Sequence, residues 1–516
     1  MDRRSFLKTS LAAGIAGSGL ITSAVSGESK NLESGSKPNI IFMLVDDLGW
    51  DEPGCYGGRT KMKTPNIDRL ASQGVRFTHA TGCAFCSPAR AALMSGRYGF
   101  RTGINANICD PGGIGREFKD DEILVSQTMQ NIGYKTGLFG KLHLHWNSAQ
   151  LPDLPQNMGF DYSFHYAGLP YDKTINGKER RLGQAGGGMV YDHYNVPWYE
   201  NGKSYTDDRY DTEVMTDKAI EFLNSKSDKP FMMWMPYFAI HEPFKAPKEW
   251  VDKYPVTEEM RADFAENVRK ARIRGKRLGR AGLANWNPPI EQYRNRLAMG
   301  SCLDANIGRL LEVLDKKGLA ENTVVILTSD NGPHPYAGGG KGEACDAGIR
   351  VPLIIRWPER IKPGTVSDAL VENVDIYPTM VEITGGKMPD SLKFDGRSLL
   401  PVIEGKTPEN WRKYSFNGIK GSLALMDKDW FYTAWAQRDD DERIWSRVTP
   451  PDSVQEPVPM DLVPQDVLKR FRAEMAGYRA QWQSCMSQHR KELQQRRQEN
   501  KDFYGDRYKE IHGVRR

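Results

Sequence analysis

Residues 40–45 read Ile-Ile-Phe-Met-Leu-Val, and this continuous apolar run is followed at once by Asp46 and Asp47. A strand that is buried on both faces of a parallel sheet has this pattern, whereas a half-exposed strand alternates apolar and polar residues. Further apolar runs lie at Lys135–Phe139, Phe231–Phe238, Thr323–Thr328 and Val351–Ile355, and predicted helices lie between them, at Pro65–Ala71, Ser87–Met94 and Tyr293–Lys317. This alternation predicts an α/β fold with a large, mainly parallel mixed sheet flanked by helices.

The chain changes character near residue 395. Beyond that point the sequence predicts strands over Leu423–Trp435, a loop over Asp439–Glu442 and a charged helical tail over Val467–Tyr508. We therefore expect a catalytic domain over residues 38–395 and a smaller C-terminal α+β subdomain over residues 396–516.

The composition excludes several classes of protein. The 516 residues are 39% hydrophobic and 27% charged, which supplies a core and excludes intrinsic disorder. The 50 glycines have no period, and 7 cysteines are too few for a disulfide scaffold. A net charge of +5 is too balanced to indicate a nucleic-acid partner. After the N-terminal segment, no apolar run reaches transmembrane length, so we expect no stable membrane insertion.

The N-terminal residues resemble a twin-arginine export signal. Arg3-Arg4 precedes an apolar stretch from Leu11 to Val25, and Ala24-Val25-Ser26 offers a cleavage site. The alternative, a membrane anchor, is disfavoured because the stretch is short and rich in glycine, alanine and serine. We expect a signal peptide over residues 1–26, a linker over residues 27–37, the twin-arginine translocase as a partner, and a periplasmic or secreted protein.

Polar residues of catalytic type follow four of the predicted strands. They are Asp46 and Asp47, Lys141 and His143, His241, and Asp330 and Asn331. Ligands of open α/β sheets bind at the carboxyl ends of the strands, so we expect these side chains to meet at one edge. A lone Asp-Asp pair would indicate only a turn or a helix cap. With Asp330 and Asn331 on a second strand, the oxygen ligands favour Ca²⁺ or Mg²⁺ over zinc.

Cys86 lies just before a predicted helix, in the run Cys86-Ser87-Pro88-Ala89-Arg90. A helix N-terminus stabilises negative charge, and Arg90 lies one turn further along the same face. This placement suits a nucleophile that meets an anionic substrate, and a thiolate with a histidine base is one option. Because the number of cysteines is odd, we expect one to be unpaired or modified in an oxidising compartment.

The pattern Cys86-x-Pro88-x-Arg90, continued by Ala91-Ala92-Leu93-Met94-Ser95-Gly96-Arg97-Tyr98, resembles the signature of the type I, formylglycine-dependent sulfatases of the alkaline phosphatase superfamily. The similarity covers most of residues 38–400 and includes Asp46–Trp50, Gly140–His143, His241–Pro243, Ser329–Gly332, Gly340–Gly342 and Gly348–Pro352. It implies an alkaline-phosphatase-like fold and a sulfuric ester hydrolase of the arylsulfatase type, which cleaves sulfate monoesters on sulfated carbohydrates. The run Asp51-Glu52-Pro53-Gly54 departs from the small residues usual in the family.

The resemblance also implies the cofactors. Cys86 is oxidised to formylglycine, the nucleophile, by a formylglycine-generating or an anaerobic sulfatase-maturating enzyme. One Ca²⁺ per chain is held by Asp46, Asp47, Asp330, Asn331 and the modified Cys86.

Roles for five further residues follow from the resemblance. Arg90 resembles the residue that holds the formylglycine hydrate. Lys141 and Lys341 resemble the lysines that bind sulfate. His143 resembles the base that breaks down the sulfated intermediate. His241 resembles the group that contacts the substrate near its leaving oxygen.

Two other functions compete with this interpretation. One is a phosphonate or phosphodiester hydrolase of the same superfamily, but such relatives tend to carry Asp-His-Gly where this chain has Asp330-Asn331-Gly332. The other is a non-catalytic, Ca²⁺-dependent protein that binds sulfated glycans, and it would require a broken active-site set.

Other residues have weaker indications. His334 is a candidate for the substrate pocket, while His145, His165 and His193 are as readily packing residues. From Arg261 to Arg280 the chain carries eight basic residues, which indicate a solvated helix face or a patch for a polyanionic substrate involving Arg272, Arg274 and Arg277. The sugar, exo or endo action and the oligomeric state cannot be inferred from the sequence.

Overall fold

We describe the protein from a computed structural model, over residues 37–108, 118–119, 121–144, 153–166, 174–175, 178–179, 193–447 and 457–504. The predicted signal peptide, nearly all of the predicted linker, Cys109 and His145 lie outside these residues.

Ten strands form one mixed sheet, four form a second sheet, and two form a short hairpin within the described residues. In chain order the strands are β1 (Asn39–Val45), β2 (Val75–Thr81), β3 (Lys135–Lys141), β4 (Tyr162–Tyr166), β5 (Thr174–Ile175), β6 (Lys178–Glu179), β7 (Trp198–Glu200), β8 (Lys203–Tyr205), β9 (Phe231–Pro236), β10 (Thr323–Ser329), β11 (Leu353–Arg356), β12 (Thr365–Glu372), β13 (Ser415–Ile419), β14 (Ser422–Met426), β15 (Trp430–Trp435) and β16 (Arg438–Ser446).

The large sheet has the order β12-β2-β11-β10-β1-β9-β3-β4-β7-β8. Its central strands, β10, β1, β9, β3 and β4, are parallel to one another. The predicted mainly parallel mixed sheet is thus confirmed. The run predicted at Val351–Ile355 forms β11, and this strand is antiparallel to both of its neighbours.

The large sheet is covered by helices on both faces. In β1, Ile41, Met43 and Val45 join one hydrophobic layer, while Ile40, Phe42 and Leu44 join the other. This division explains why the run is apolar at every position, since neighbouring side chains of a strand point to opposite faces. The helices are α1 (Pro65–Ser72), α2 (Cys86–Ser95), α3 (Gly99–Thr102), α4 (Val125–Asn131), α5 (Leu154–Asn157), α6 (Asp211–Asn224), α7 (Lys248–Val251), α8 (Glu258–Arg277), α9 (Ala281–Ala284), α10 (Ile290–Lys316), α11 (Asp346–Ile349), α12 (Ile376–Ile383), α13 (Leu400–Ile403) and α14 (Gln465–Tyr504).

The second sheet is an antiparallel meander of β13, β14, β15 and β16. Apolar side chains of this sheet, such as Leu425 and Tyr432, pack against Phe471 and Met475 of α14. The predicted C-terminal α+β architecture is therefore present, whereas the boundary at residue 395 stays a prediction. The loop predicted at Asp439–Glu442 is wrong, because these residues lie within β16. No helix in the described ranges combines the length and apolar character needed to cross a bilayer.

Candidate active site

The register of the parallel strands brings the predicted residues to one edge of the sheet. Val45, at the end of β1, is paired with Ser329, at the end of β10. Asp46 and Asp330, the residues that follow, therefore lie side by side. β9 lies on the other side of β1 and β3 lies beyond it, so Lys141, the last residue of β3, reaches the same edge.

Three carboxylates meet at this edge and are fully buried. Asp46, Asp47 and Asp330 each have 0% exposure. Oxygen atoms of the three lie within 4.8 Å of one another and of the Cys86 Sγ. Asn331 adds a fourth side chain, because its Nδ2 donates to Asp47 Oδ1 at 2.7 Å. Asp47 itself has a φ of 66°, a left-handed conformation that non-glycine residues rarely adopt.

Three cationic side chains face these carboxylates. Lys141 Nζ donates to Asp46 Oδ2 at 2.6 Å, and Lys341 Nζ donates to Asp47 Oδ2 at 2.7 Å. Arg90 Nη2 contacts Asp46 Oδ2 at 2.9 Å and Asp330 Oδ2 at 3.1 Å. Three cations thus face three carboxylates, and the six side chains come from five separate segments of the chain.

The protonation of the carboxyls differs within the cluster. Burial opposes ionisation of Asp46, but Lys141, His241 and Arg90 outweigh it and hold the pKa of Asp46 well below its usual range. Burial and the neighbouring Asp46 charge raise the pKa of Asp330 to about 7. The mutual repulsion of the acids is therefore only partly relieved by the protein's own cations.

These residues fit a hard divalent cation such as Ca²⁺. The donor atoms are carboxylate and amide oxygens, the type that Ca²⁺ binds. Asn331 Oδ1 is buried and has no hydrogen-bond partner in the described part of the chain. A buried acceptor that lacks a donor is costly, and a cation ligand bond would satisfy it. A cation here would also offset the repulsion that raises the pKa of Asp330.

Cys86 is the first residue of α2 and is 1% exposed. Its Sγ lies 3.6 Å from Asp46 Oδ1. Burial and the charge of Asp46 raise the pKa of the thiol, so an unmodified Cys86 in this environment is a neutral thiol. Arg90, one turn further along α2, holds the helix to the sheet edge through Lys141, whose carbonyl oxygen accepts from Arg90 Nη1 at 2.7 Å.

Two histidines complete the group around Cys86. A ring nitrogen of His241 lies within 4.8 Å of both Cys86 Sγ and a carboxylate oxygen of Asp46. Its Nδ1 donates to the carbonyl oxygen of Glu242 at 2.6 Å, which leaves Nε2 available to the site. His143 has a φ of 51° and is 9% exposed, and both of its ring nitrogens lack partners among the described residues.

Burial, together with nearby cations, lowers the pKa of both histidines. Burial, followed by Lys141 and Arg90, holds the pKa of His143 well below its usual range. Burial, followed by Lys341 and Lys141, lowers the pKa of His241 to about 4.

The sulfatase family model matches residues 38–386 of this chain. The chain belongs to the sulfatase family. It is a sulfuric ester hydrolase, which confirms the predicted class of enzyme.

Two curated relatives of this sulfatase come from Bacteroides thetaiotaomicron. An N-acetylglucosamine-6-O-sulfatase is 31% identical over 464 residues, which cover 74% of each chain. An N-acetylgalactosamine-6-O-sulfatase is 28% identical over 467 residues, covering 78% of this chain and 83% of that protein. A structure solved in complex with D-glucosamine-2-N,6-O-disulfate as substrate has a TM-score of 0.68 at 23% identity, over 87% of this chain and 99% of that one, and shows the same fold.

His334 of the sulfatase lies beside Glu242 and an aromatic cluster. Its Nε2 is 3.8 Å from Glu242 Oε2, and its ring stacks on Tyr336 with centroids 5.2 Å apart. Burial, with Lys341 and His241 nearby, lowers its pKa to about 3. These contacts place His334 at the side of the site, and its predicted role in substrate binding stays a prediction.

His193 is a residue whose place in the site the sequence did not reveal. Its ring is 0% exposed, with Nδ1 2.8 Å from Asp211 Oδ2 and Nε2 3.2 Å from the carbonyl oxygen of His241. The three residues are far apart in sequence, so a spacing pattern cannot find them. The available signal in the sequence was weak, namely His193 and an acidic residue, Asp211, 18 positions later at the start of α6.

One arginine of the basic segment, Arg274, is buried and cannot belong to the predicted patch. Arg274 is 1% exposed and forms an ion pair with Glu343, two residues beyond Lys341. Arg272 donates to the carbonyl oxygen of Trp286 at 2.7 Å and to Asn287 Oδ1 at 3.2 Å. The prediction that Arg274 faces a polyanion is therefore wrong, because this guanidinium anchors α8 to the segment that carries Lys341.

Proposed function

We propose that this sulfatase hydrolyses sulfate monoesters of carbohydrates, with formylglycine formed from Cys86 as nucleophile and one bound Ca²⁺. The observation that carries the proposal is the position of Cys86. It begins a helix, at the point where three buried carboxylates, three cations and two histidines converge.

Asp46, Asp47, Asp330 and Asn331 would hold the cation. When bound, Ca²⁺ supplies positive charge that polarises the sulfate ester and stabilises the charge that develops on its oxygens. Because the protein's own charges at the cluster balance, a divalent cation leaves the site positive toward an anionic ester. Formylglycine at position 86 would supply, in its hydrated form, the hydroxyl nucleophile.

Lys141, Lys341 and Arg90 bind and orient the anion in this proposal. Their side chains are already fixed by Asp46, Asp47 and Asp330, so little ordering remains to be done when substrate binds. Such preorganised charges are worth more in a buried site than in water. The chain's own contribution is thus a rigid cradle around the ester oxygens.

The two histidines have separate proton-transfer roles. His241 lies close to Cys86 Sγ. Because its Nδ1 proton is donated to the carbonyl oxygen of Glu242, Nε2 must first take up a proton before it can donate one to the leaving oxygen, and the negative charge of the bound ester favours that uptake. His143 has two buried ring nitrogens without described partners, and a neutral imidazole of this kind accepts a proton from the hydroxyl at position 86.

The substrate class is supported by the curated relatives. Two of them are 6-O-sulfatases of N-acetylated amino sugars, and this chain covers 74% and 83% of their lengths. We infer that the substrates are sulfated amino-sugar glycans. The twin-arginine signal over residues 1–26 supports export to the periplasm or beyond, after a maturation enzyme has modified Cys86 in the cytoplasm.

Release of inorganic sulfate from N-acetylglucosamine 6-sulfate tests this function. The protein is produced together with a formylglycine-generating enzyme, and Cys86→Ala is compared with Cys83→Ala, a matched control three residues earlier. We expect turnover by the wild type and Cys83→Ala and none by Cys86→Ala, with all three folded by circular dichroism. Equal turnover by the two variants would refute the assignment of the nucleophile.

A further inference from the structure

The mouth of the site next to Cys86 carries an aromatic ring between two basic side chains. We name Phe85, Arg280 and Lys420 the basic rim. Phe85 directly precedes Cys86 in the chain, and its side chain is half-buried, whereas Arg280 and Lys420 are exposed. The three come from distant parts of the sequence.

Arg280 reaches the rim because the end of α8 is fixed there. The buried Arg274–Glu343 ion pair holds the last turn of the helix against the segment that follows Lys341. A Cβ built on Gly342 would lie 2.9 Å from Phe85 Cζ and 3.8 Å from Arg280 Nη1, so the ring and the guanidinium both border this glycine. Gly342 is in turn tied to the Cys86 side of the site, since its N–H donates to the carbonyl oxygen of Ala84 at 2.8 Å.

Lys420 reaches the rim from the second sheet. It lies in the two-residue turn Lys420-Gly421 between β13 and β14, where φ is 50° and 91°. Two positive φ angles are typical of a tight hairpin turn, which fixes the direction of the lysine's backbone. The Lys420 Nζ lies 5.4 Å from the centroid of the Phe85 ring.

Arg280 differs electrostatically from the cations of the cluster below it. Lys141, Lys341 and Arg90 are each paired with a buried carboxylate. No ion pair of Arg280 with a carboxylate occurs among the residues described here. An exposed guanidinium next to an aromatic ring presents two parallel N–H donors, which suit the oxygens of a carboxylate or a sulfate.

We propose that the basic rim binds a second anionic group of the substrate, a carboxylate or a sulfate, on the sugar that carries the scissile sulfate or on the sugar next to it. This inference rests on the proposed function. Phe85 adjoins Cys86 and Gly342 adjoins Lys341, so the rim borders two residues of the proposed site for the scissile sulfate. The sulfatase thereby selects glycans with more than one negative charge.

Steady-state kinetics of the matured full-length protein test the rim. The substrates are an N-acetylhexosamine 6-sulfate, whose single charge is the scissile group; the same sugar with an N-sulfate; and a disaccharide in which a uronic acid is linked to the 6-sulfated sugar. The variants are Arg280→Ala, Lys420→Ala and the control Arg261→Ala, which changes an exposed arginine in the first turn of α8, about 24 Å from the last residue of that helix.

We expect Arg280→Ala and Lys420→Ala each to raise KM about tenfold or more for at least one doubly charged substrate. A change of this size corresponds to the loss of one charge-assisted hydrogen bond. Values for the singly charged sugar and for Arg261→Ala should stay within about twofold. The N-sulfate and the uronic acid arms show which anionic group the rim binds.

Three outcomes would refute the proposal that the basic rim binds a second anion, without affecting the proposed function. They are equal losses on all substrates, no loss on either doubly charged substrate, and failure of the wild type to cleave the doubly charged substrates. If the wild type cleaves no sulfate ester at all, both the proposed function and the proposed role of the basic rim are refuted.

Discussion

His193 and Asp211 form a buried pair with 2.8 Å between Nδ1 and Oδ2, and the other ring nitrogen of His193 lies 3.2 Å from the carbonyl oxygen of His241. The pair thus fixes the backbone of a residue that lies beside Cys86. The ring of His193 also packs on Phe238, with centroids 4.8 Å apart, and Phe238 stacks on the ring of His241. His193 acts as a positioning residue for His241.

Asp211→Asn and His193→Gln should therefore lower kcat about tenfold or more on a sugar sulfate and leave KM nearly unchanged. If His241 protonates the leaving oxygen, the loss should shrink for 4-nitrophenyl sulfate, whose leaving group needs no proton. The control is His489→Gln, which changes another buried histidine that contacts a backbone carbonyl, that of Phe100 at 3.0 Å. Equal losses on the two substrates would show that His193 has only a structural role.

Substitution of one predicted metal ligand tests the calcium site without an activity assay. Elemental analysis of the purified protein should give one calcium per chain, and Asp330→Asn should lose it, while Asp315→Asn, at a half-exposed acid of α10, should keep it. For the wild type, calcium at about 100 times its Kd should add roughly 2.7 kcal/mol to the free energy of unfolding. An unchanged Tm with calcium would contradict the proposed site.

Glu52 and Arg296 form an ion pair of 2.6 Å in which both side chains are 0% exposed. Arg296 also donates to the carbonyl oxygen of Asp47, and Glu52 accepts from the N–H of Gly49, so the pair shapes the loop that carries the acids. Arg296→Met leaves a buried unpaired carboxylate and should lower the free energy of unfolding by about 3–5 kcal/mol in urea titrations.

The Glu52→Met, Arg296→Met double variant should recover part of that loss, since it leaves no buried charge. Lys248→Ala breaks the exposed pair with Asp252 and should change stability by less than about 1 kcal/mol. A small effect of Arg296→Met would show that water or a rearranged side chain compensates Glu52.

The buried His165 should contribute to the pH dependence of the free energy of unfolding. It is 0% exposed, both ring nitrogens lack partners among the described residues, and burial lowers its pKa from 6.5 to about 4. The folded protein thus favours the neutral ring, so the contribution is fully present above pH 6.5 and is lost as pH falls toward 4. The loss amounts to at most about 3 kcal/mol.

His165→Phe keeps a flat ring against Tyr199 and removes the titration. Urea unfolding at pH 7.5 and pH 4.5 should show a smaller drop in stability for the variant than for the wild type. Other buried histidines contribute equally to both proteins and cancel in the difference. Identical drops would mean that His165 gains a partner or water when it is protonated.

The sequence predicted the sheet edge well because parallel strands leave a strong local pattern. A continuous apolar run such as residues 40–45 identifies a doubly buried strand, and the residue after it must lie at the carboxyl edge. Asp46 and Asp330 were placed together on this ground, and the register confirms it. The antiparallel direction of β11 was not predictable, since an apolar run does not show in which direction its strand lies in the sheet.

Other features depend on contacts that no local pattern records. Asp439–Glu442 reads as a loop from its acidic residues, yet it lies within β16, which pairs with β15 through Arg438 and Arg443 on either side of it. The eight basic residues from Arg261 to Arg280 look alike in sequence, but tertiary packing buries Arg274 and leaves Arg280 exposed. Charge counts alone cannot make that distinction.

The central claim is that Cys86 becomes the formylglycine nucleophile, and peptide mass spectrometry of the active protein tests it most directly. Protein that was produced with its export signal and a maturation enzyme, and that releases sulfate, is digested, and the peptide containing Cys86 is analysed. We predict the mass of an aldehyde in place of the thiol, and an aldehyde-specific reagent should label it. An unmodified Cys86 throughout an active preparation would contradict the account.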